Sequence, residues 1–368
     1  MGRSPRTVAR RAWVAARTSR WPAHSRLFVL GDQAGWVLSE EARELGETCT
    51  RLGIPVGRGA WVSAVRGQCT FAFSHFDVLL HWHPPGNRLG IAYLHGRPGT
   101  PGYPEFDEAY ASLQRHHAEL ARVQVSHSEI RDLVLESGID PGKVFLIPLG
   151  VDPVSFAPAA PDERRAVRAL HGVPESAFVV GSLQKDGTGW GEGLEPKLVK
   201  GPDTLLEALE LAWREVPELL VLLTGPARGY VRRGLERIGI PYRHLVFDDL
   251  TRLPEAYRLL DACIVSSRQE GGPKAALEAM ASGVPLVTTR VGQAIDLVRH
   301  RESAWVVEPD DAAGLAAGLV FVRDGGPEVE RLRTKGRAVA EANSYAAQLP
   351  LWRAFMDGFV ESRGAGAR

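Results

Sequence analysis

Glu270-Gly271-Gly272-Pro273-Lys274-Ala275-Ala276-Leu277-Glu278-Ala279-Met280-Ala281-Ser282-Gly283-Val284-Pro285 is the stretch on which the fold turns. Ahead of it, Ala262-Cys263-Ile264-Val265-Ser266 is a short apolar run that reads as a buried strand. Behind it, Val284-Pro285-Leu286-Val287-Thr288-Thr289 is a second. A helix fits between them. Pro273 suits its first turn, where a missing N–H costs nothing, and Gly283 suits its stop. Strand, glycine loop, helix and strand make half of a parallel α/β layer.

The chemistry follows from that geometry. The first N–H groups of a helix have no partner within it, and the dipole places about half a positive charge there. Gly271 and Gly272 carry no side chain, so a ligand can approach the backbone, and the amides at Lys274 and Ala275 can hold a phosphate. Glu270 stands at the C-terminal edge of a strand, where open α/β sheets place ligands. Glu278 follows a turn and a half into the helix. An anion site between two carboxylates suits a nucleotide sugar: amides for phosphate, carboxylates for hydroxyls. Either glutamate alone reads more readily as a solvated or capping side chain; the glycines, the proline and both glutamates together favour a site.

Two glutamates separated by seven residues, within Glu-Gly-Gly-Pro and Leu-Glu-Ala-Met-Ala-Ser-Gly-Val-Pro, resemble the signature of family 4 of the retaining glycosyltransferases. The preceding segment, Leu253-Pro254-Glu255-Ala256-Tyr257-Arg258 and Asp261 to Gln269, is similar to that family too. The likeness runs from about Val123 to about Leu319 and fades toward the N-terminus. Two places depart from the usual pattern: Val265-Ser266, often proline in the family, and Gly272-Pro273, often Phe-Gly. The resemblance implies an α/β GT-B fold, two Rossmann-like doubly wound domains facing across a cleft. It also implies retaining, metal-independent transfer of a hexose from a nucleotide-diphosphate sugar to a hydroxyl acceptor, with no cofactor. On matched positions, Glu270 would hold donor sugar hydroxyls and Glu278 the ribose.

The rest of the second half extends this pattern. Phe178 to Leu183 reads as a strand, followed by the glycine-rich loop Gln184 to Gly193, a candidate lid, and by Glu195 to Pro202. A helix is expected from Asp203 to Trp213. By resemblance, Lys200 matches a lysine that neutralises the donor diphosphate. The family's arginine place is occupied by Leu183, and Lys185, two residues on, is expected to substitute for it. A solvated lysine is the alternative for both. Further strands are expected at Leu219–Leu223, Leu245–Phe247 and Trp305–Val307.

In the first half, Arg26 to Leu30 reads as a strand, Gly31 to Trp36 as a loop, and Val37 to about Leu52 as a helix. The loop lacks the spacing of a dinucleotide fingerprint, which disfavours an NAD-dependent dehydrogenase. By resemblance it approaches the donor diphosphate, with Gly35 the stronger candidate and Gly31 equally a tight turn. Phe71 to His83 is apolar and aromatic; His81 and His83 would share one face of a strand. Gly90 to Leu94 is another strand, ending at His95-Gly96-Arg97. By resemblance His95 contacts the donor sugar; a buried, hydrogen-bonded histidine is the equal alternative. Arg97 beside it is a candidate partner for an anion. A strand at Val123 to Ser126 leads into a helix capped by Ser126 or Ser128. Lys143 to Asp152 then runs into the proline-rich stretch Pro153 to Pro161. The expected organisation is a basic leader at 1–20, an N-terminal acceptor-side domain at 21–157, and a nucleotide-sugar domain at 158–340. A helix at 341–368 would return to the first domain, although a dimer contact explains its apolar face equally well.

Composition bounds the rest. The chain of 368 residues is 44% hydrophobic, enough for two cores, and its formal net charge of +0 gives no field directed at nucleic acid. Three widely spaced cysteines, Cys49, Cys69 and Cys263, point to a reducing, cytoplasmic setting rather than a disulfide framework or zinc site. No apolar run reaches the ~18 residues of a spanning helix. The leader is expected to be disordered, with a weak peripheral membrane contact as the alternative. The competing readings are a GT-B sugar-nucleotide epimerase and a catalytically silent nucleotide-sugar-binding subunit.

Overall fold

The computed structural model of the protein describes residues 27–30, 37–59, 69–82 and 88–360. Gly31, Gly35, His83 and the basic leader lie outside the described residues. The chain divides into two compact units: Met1–Pro148 with Gln348–Arg368, and Leu149–Ala347.

The sheet of the first unit is parallel throughout, in the order β2-β1-β3-β4-β5-β6. Its strands are β1 (Leu27–Leu30), β2 (Val56–Gly59), β3 (Cys69–Ala72), β4 (Arg88–Ala92), β5 (Leu120–Val125) and β6 (Val144–Leu146). β1 and β3 are buried along their whole length, which is why β1 reads as an unbroken apolar run rather than an alternating one. The late helix Leu349–Met356 belongs to this unit; Trp352 and Phe355 pack edge-on against Phe71, at 5.8 and 5.4 Å between ring centroids.

The second unit holds β7 (Phe178–Ser182), β8 (Leu219–Thr224), β9 (Tyr242–Leu245), β10 (Ala262–Val265), β11 (Leu286–Thr289) and β12 (Trp305–Val307), again all parallel. Their order is β12-β11-β10-β7-β8-β9. The order reverses between β7 and β10. The loops leaving those two strands therefore diverge and open the crevice in which such sheets place a ligand.

Several expectations are corrected. Within the Phe71–His83 region, where His81 and His83 are expected on one strand face, β3 ends at Ala72, and a short helix, His75–Leu79, follows because Ser74 Oγ accepts the Asp77 amide at its start. His81 lies in the turn beyond that helix rather than on a strand. β9 comes earlier than its most apolar residues suggest: Val246, just past its end, is 60% exposed. The helix after β5 is Ser128–Glu136, and its N-cap is His127, with no side-chain cap bond. Pro273 is the N-cap of the Lys274–Ala281 helix rather than part of its first turn. The proline-rich stretch near 158 is not a free connector. Arg337 donates to the carbonyls of Pro153 and Phe156, and Phe156 is buried in the second unit's core. The chain crosses between units at Pro148 and Leu149 instead.

Candidate functional site

β10 delivers the site. Beyond Val265 the chain passes through buried Ser266 and Ser267 to Glu270, only 7% exposed. Lys200 Nζ donates to Glu270 Oε1 at 2.5 Å, and Ser267 Oγ donates to the same oxygen at 2.9 Å. A carboxylate this buried needs such partners, and a charge-assisted bond is the strongest one available. Lys200 ends a 3₁₀ turn, Leu198–Lys200, and reaches Glu270 because Gly201 turns the backbone with φ of 58°. A Cβ on Gly201 would sit 2.1 Å from the Ser266 carbonyl oxygen, so no other residue fits the crossing. Ser266 Oγ donates to the Gly201 carbonyl at 3.0 Å and Gln184 Nε2 to that of Lys200 at 3.2 Å. The first bond stitches the loop after β10 to the loop after β7, and the second braces the latter internally. Two of the expected residues, Lys200 and Glu270, are thereby brought into contact.

Arg268 fixes the same turn from outside. Its guanidinium holds both oxygens of Asp203 at 2.8 and 2.7 Å and Asp310 at 2.6 Å. The loop after β11 closes the other side: a Cβ on Gly292 would meet Glu270 Cβ and its carbonyl oxygen at 3.0 Å. Gly271 and Gly272 lead from Glu270 into the Lys274–Ala281 helix. Its first turn presents the Lys274 and Ala275 amides, while the Ala276 amide already donates to the Pro273 carbonyl at 2.9 Å.

The side chains of that helix are more committed than expected. Lys274 is 6% exposed and its Nζ donates to Tyr345 OH at 2.7 Å, so any part it takes in anion binding falls to its backbone. Glu278 is 5% exposed and is not solvated; Tyr257 OH donates to its Oε2 at 2.5 Å. Burial, followed by the nearby Glu278 charge, pushes the Cys263 thiol up to about 12.

Lys185 lies on the loop after β7 with its Nζ 3.9 Å from the centroid of Trp190, a cation–π contact. Burial holds its pKa below the ordinary lysine value. The glycine-rich loop around it is tied down rather than hinged: Gly229 and Tyr230 amides donate to the Glu192 and Gly193 carbonyls at 2.7 and 2.9 Å. Beneath it lies a pair that sequence reasoning missed. Arg228, 1% exposed, donates to both oxygens of fully buried Asp186 at 3.0 and 2.9 Å, and to the Ser182 carbonyl at 2.7 Å. The sequence signal was the Gly225-Pro226 turn after β8, which places Arg228 at the start of the next helix.

In the first unit, His95 follows β4 and is partly exposed. It packs edge-on against His75, ring centroids 5.8 Å apart, and beside Phe76 and Phe106. Arg97 is committed at the surface to Glu129, at 3.2 Å. Among the described residues no group of three or more His, Cys, Asp or Glu side chains is placed to hold a metal ion. Among them too, no helix is long and apolar enough to cross a membrane.

Residues 193–323 match the family model described as glycosyl transferases group 1. The matched segment lies wholly in the second unit and contains Glu270 and the Lys274–Ala281 helix that carries Glu278. A D-inositol 3-phosphate glycosyltransferase of Segniliparus rotundus is 31% identical over 278 residues, covering 70% of this chain and 56% of that protein. A second, from Catenulispora acidiphila, is 34% identical over 212 residues, covering 52% of this chain and 46% of its own length. The chain thus spans about half the length of these curated relatives. Among solved structures, Anabaena HepE in complex with UDP-glucose superposes with a TM-score of 0.72 at 16% identity, over 90% of this chain and 99% of HepE. Sucrose-phosphate synthase from Thermosynechococcus elongatus gives 0.66 at 17% identity, over 97% of this chain and 94% of that one. The fold is therefore that of the GT-B glycosyltransferases.

Proposed function

We propose that this chain is a retaining, metal-independent glycosyltransferase that moves a hexose from a nucleotide-diphosphate sugar to a hydroxyl acceptor. The observation that carries the proposal is the Lys200–Glu270 contact at the sheet's switch point, beside the amino end of the Lys274–Ala281 helix. A buried carboxylate next to backbone amides and a cation suits a ligand that presents hydroxyls and an oxyanion together. HepE, captured with UDP-glucose on the same fold, supports a nucleotide-sugar donor.

In this reading a diphosphate rests against the Lys274 and Ala275 amides. Charge developing on the leaving group is met by fixed dipoles and by the Lys200 and Lys185 ammonium groups. Lys200 then serves two anions, and donor entry relieves it of part of its bond to Glu270. Glu270 orients sugar hydroxyls near the reacting carbon. Glu278, held by Tyr257, accepts from the ribose. The acceptor is deprotonated by the leaving phosphate. His95 and Gly35 are assigned to the donor on the resemblance alone. The family match lies in the second unit, so the acceptor is left to its chemical class, a hydroxyl.

Glu270→Ala is expected to abolish release of nucleoside diphosphate in the presence of acceptor while circular dichroism stays that of the wild type. Undiminished turnover would refute the role. Conversion of the donor sugar without acceptor would point to an epimerase instead.

A further inference from the structure

We propose that Gln293 is a further donor-binding residue, whose side-chain amide donates to a hydroxyl of the transferred sugar. The inference rests on the nucleotide-sugar reading above. Gln293 lies on the loop after β11, the strand beside β10, and is 1% exposed. Its Oε1 accepts the Leu149 amide at 2.9 Å, which fixes which way the carboxamide faces. That leaves Nε2, which is buried and has no hydrogen-bond partner. A buried NH₂ without an acceptor is an unstable arrangement unless a ligand or ordered water completes it.

The surroundings say where that ligand lies. A Cβ on Gly272 would stand 2.7 Å from Gln293 Oε1, so the carboxamide rests directly on the glycine turn that follows Glu270. Gly292, one residue before Gln293, presses on Glu270 from the same loop. The neighbouring Gln269 carries the complementary deficit: its Oε1 is buried and accepts no bond. One unmet donor on the loop after β11 and one unmet acceptor in the residue before Glu270 therefore lie on adjacent loops. A phosphate oxygen accepts only and could complete Gln293 alone. A sugar hydroxyl both donates and accepts, so it can take the Gln293 amide and give its own proton to the Glu270 carboxylate on the neighbouring loop. The chemistry favours the sugar over the phosphate.

The test compares each nucleotide sugar with its own nucleoside diphosphate. Wild type, Gln293→Glu and Gln293→Met are titrated by calorimetry with UDP-, GDP-, ADP- and dTDP-glucose and with the four free diphosphates. Gln293→Glu keeps an oxygen for the Leu149 amide but offers no donor. Gln293→Met keeps the length without introducing charge, and covers the case in which the buried carboxylate prevents folding. For the pair that wild type binds, both variants are expected to weaken the nucleotide sugar by about tenfold or more, the loss of one directed hydrogen bond, and to bind the free diphosphate as wild type does. Undiminished sugar-nucleotide affinity, or equal losses for the two ligands, overturns the assignment while leaving the nucleotide-sugar reading intact. If wild type binds none of the eight, that reading falls and this assignment with it.

Discussion

Asp186→Ala is the sharpest structural test, because it removes one half of a fully buried ion pair. Asp186 is 0% exposed and Arg228 1%, and the carboxylate takes two of the guanidinium's bonds, at 3.0 and 2.9 Å. In the variant the Ser182 and Thr224 carbonyls remain, at 2.7 and 3.1 Å, but they leave the positive charge uncompensated. Breaking a buried pair from one side costs about 3–5 kcal/mol. In a unit of roughly 200 residues each kcal/mol lowers the melting temperature by about 2–4 °C, so a fall of about 6–20 °C is expected. Asp186→Asn keeps an acceptor and should lose about half as much. The assay is differential scanning calorimetry on the full chain, following the transition of the second unit. Lys185 adjoins Asp186, so nucleotide affinity should fall in whatever protein remains folded. A drop smaller than about 2 °C for the alanine variant would refute the reasoning, since the pair would then contribute no more than a surface contact does.

Other outcomes follow from the same geometry. Activity is expected to persist in excess chelator; complete loss that manganese restores would contradict metal-independent transfer. Cys49 and Cys263, both buried with thiols pushed up to about 12, should resist alkylation at pH 8 until the protein unfolds, and rapid labelling of native protein would overturn their burial. Burial, then the neighbouring His95 charge, holds His75 well below its ordinary 6.5. Below that value the unfolded chain takes up a proton that folded His75 refuses, so acidification destabilises the fold by up to about 1.4 kcal/mol per pH unit. Equilibrium unfolding between pH 7 and 5 should show this slope, and His75→Phe should flatten it; an unchanged slope in the variant would refute the assignment to His75.

The sequence by itself determined the parallel α/β class. Runs such as Leu219–Leu223 are apolar throughout because both faces of the strand are covered, as helices on both sides of a parallel sheet do for its central strands. It determined the strand, glycine turn and helix at Ala262 to Gly283 as well, because caps and stops are written in neighbouring residues. Local reading faltered where one residue's conformation depends on another far along the chain. His75–Leu79 is as apolar as a strand, yet the Ser74 cap makes it a helix. Pro153 to Pro161 has the composition of a linker, yet Arg337, far along the chain, binds its carbonyls. The tertiary structure alone decided that Glu270 meets Lys200, seventy residues earlier, that Arg228 neutralises Asp186, and that Gln293 rests on Gly272. Each of these joins loops that leave different strands of one sheet. The strand order brings such loops together, and strand order arises from long-range pairing rather than from any local propensity.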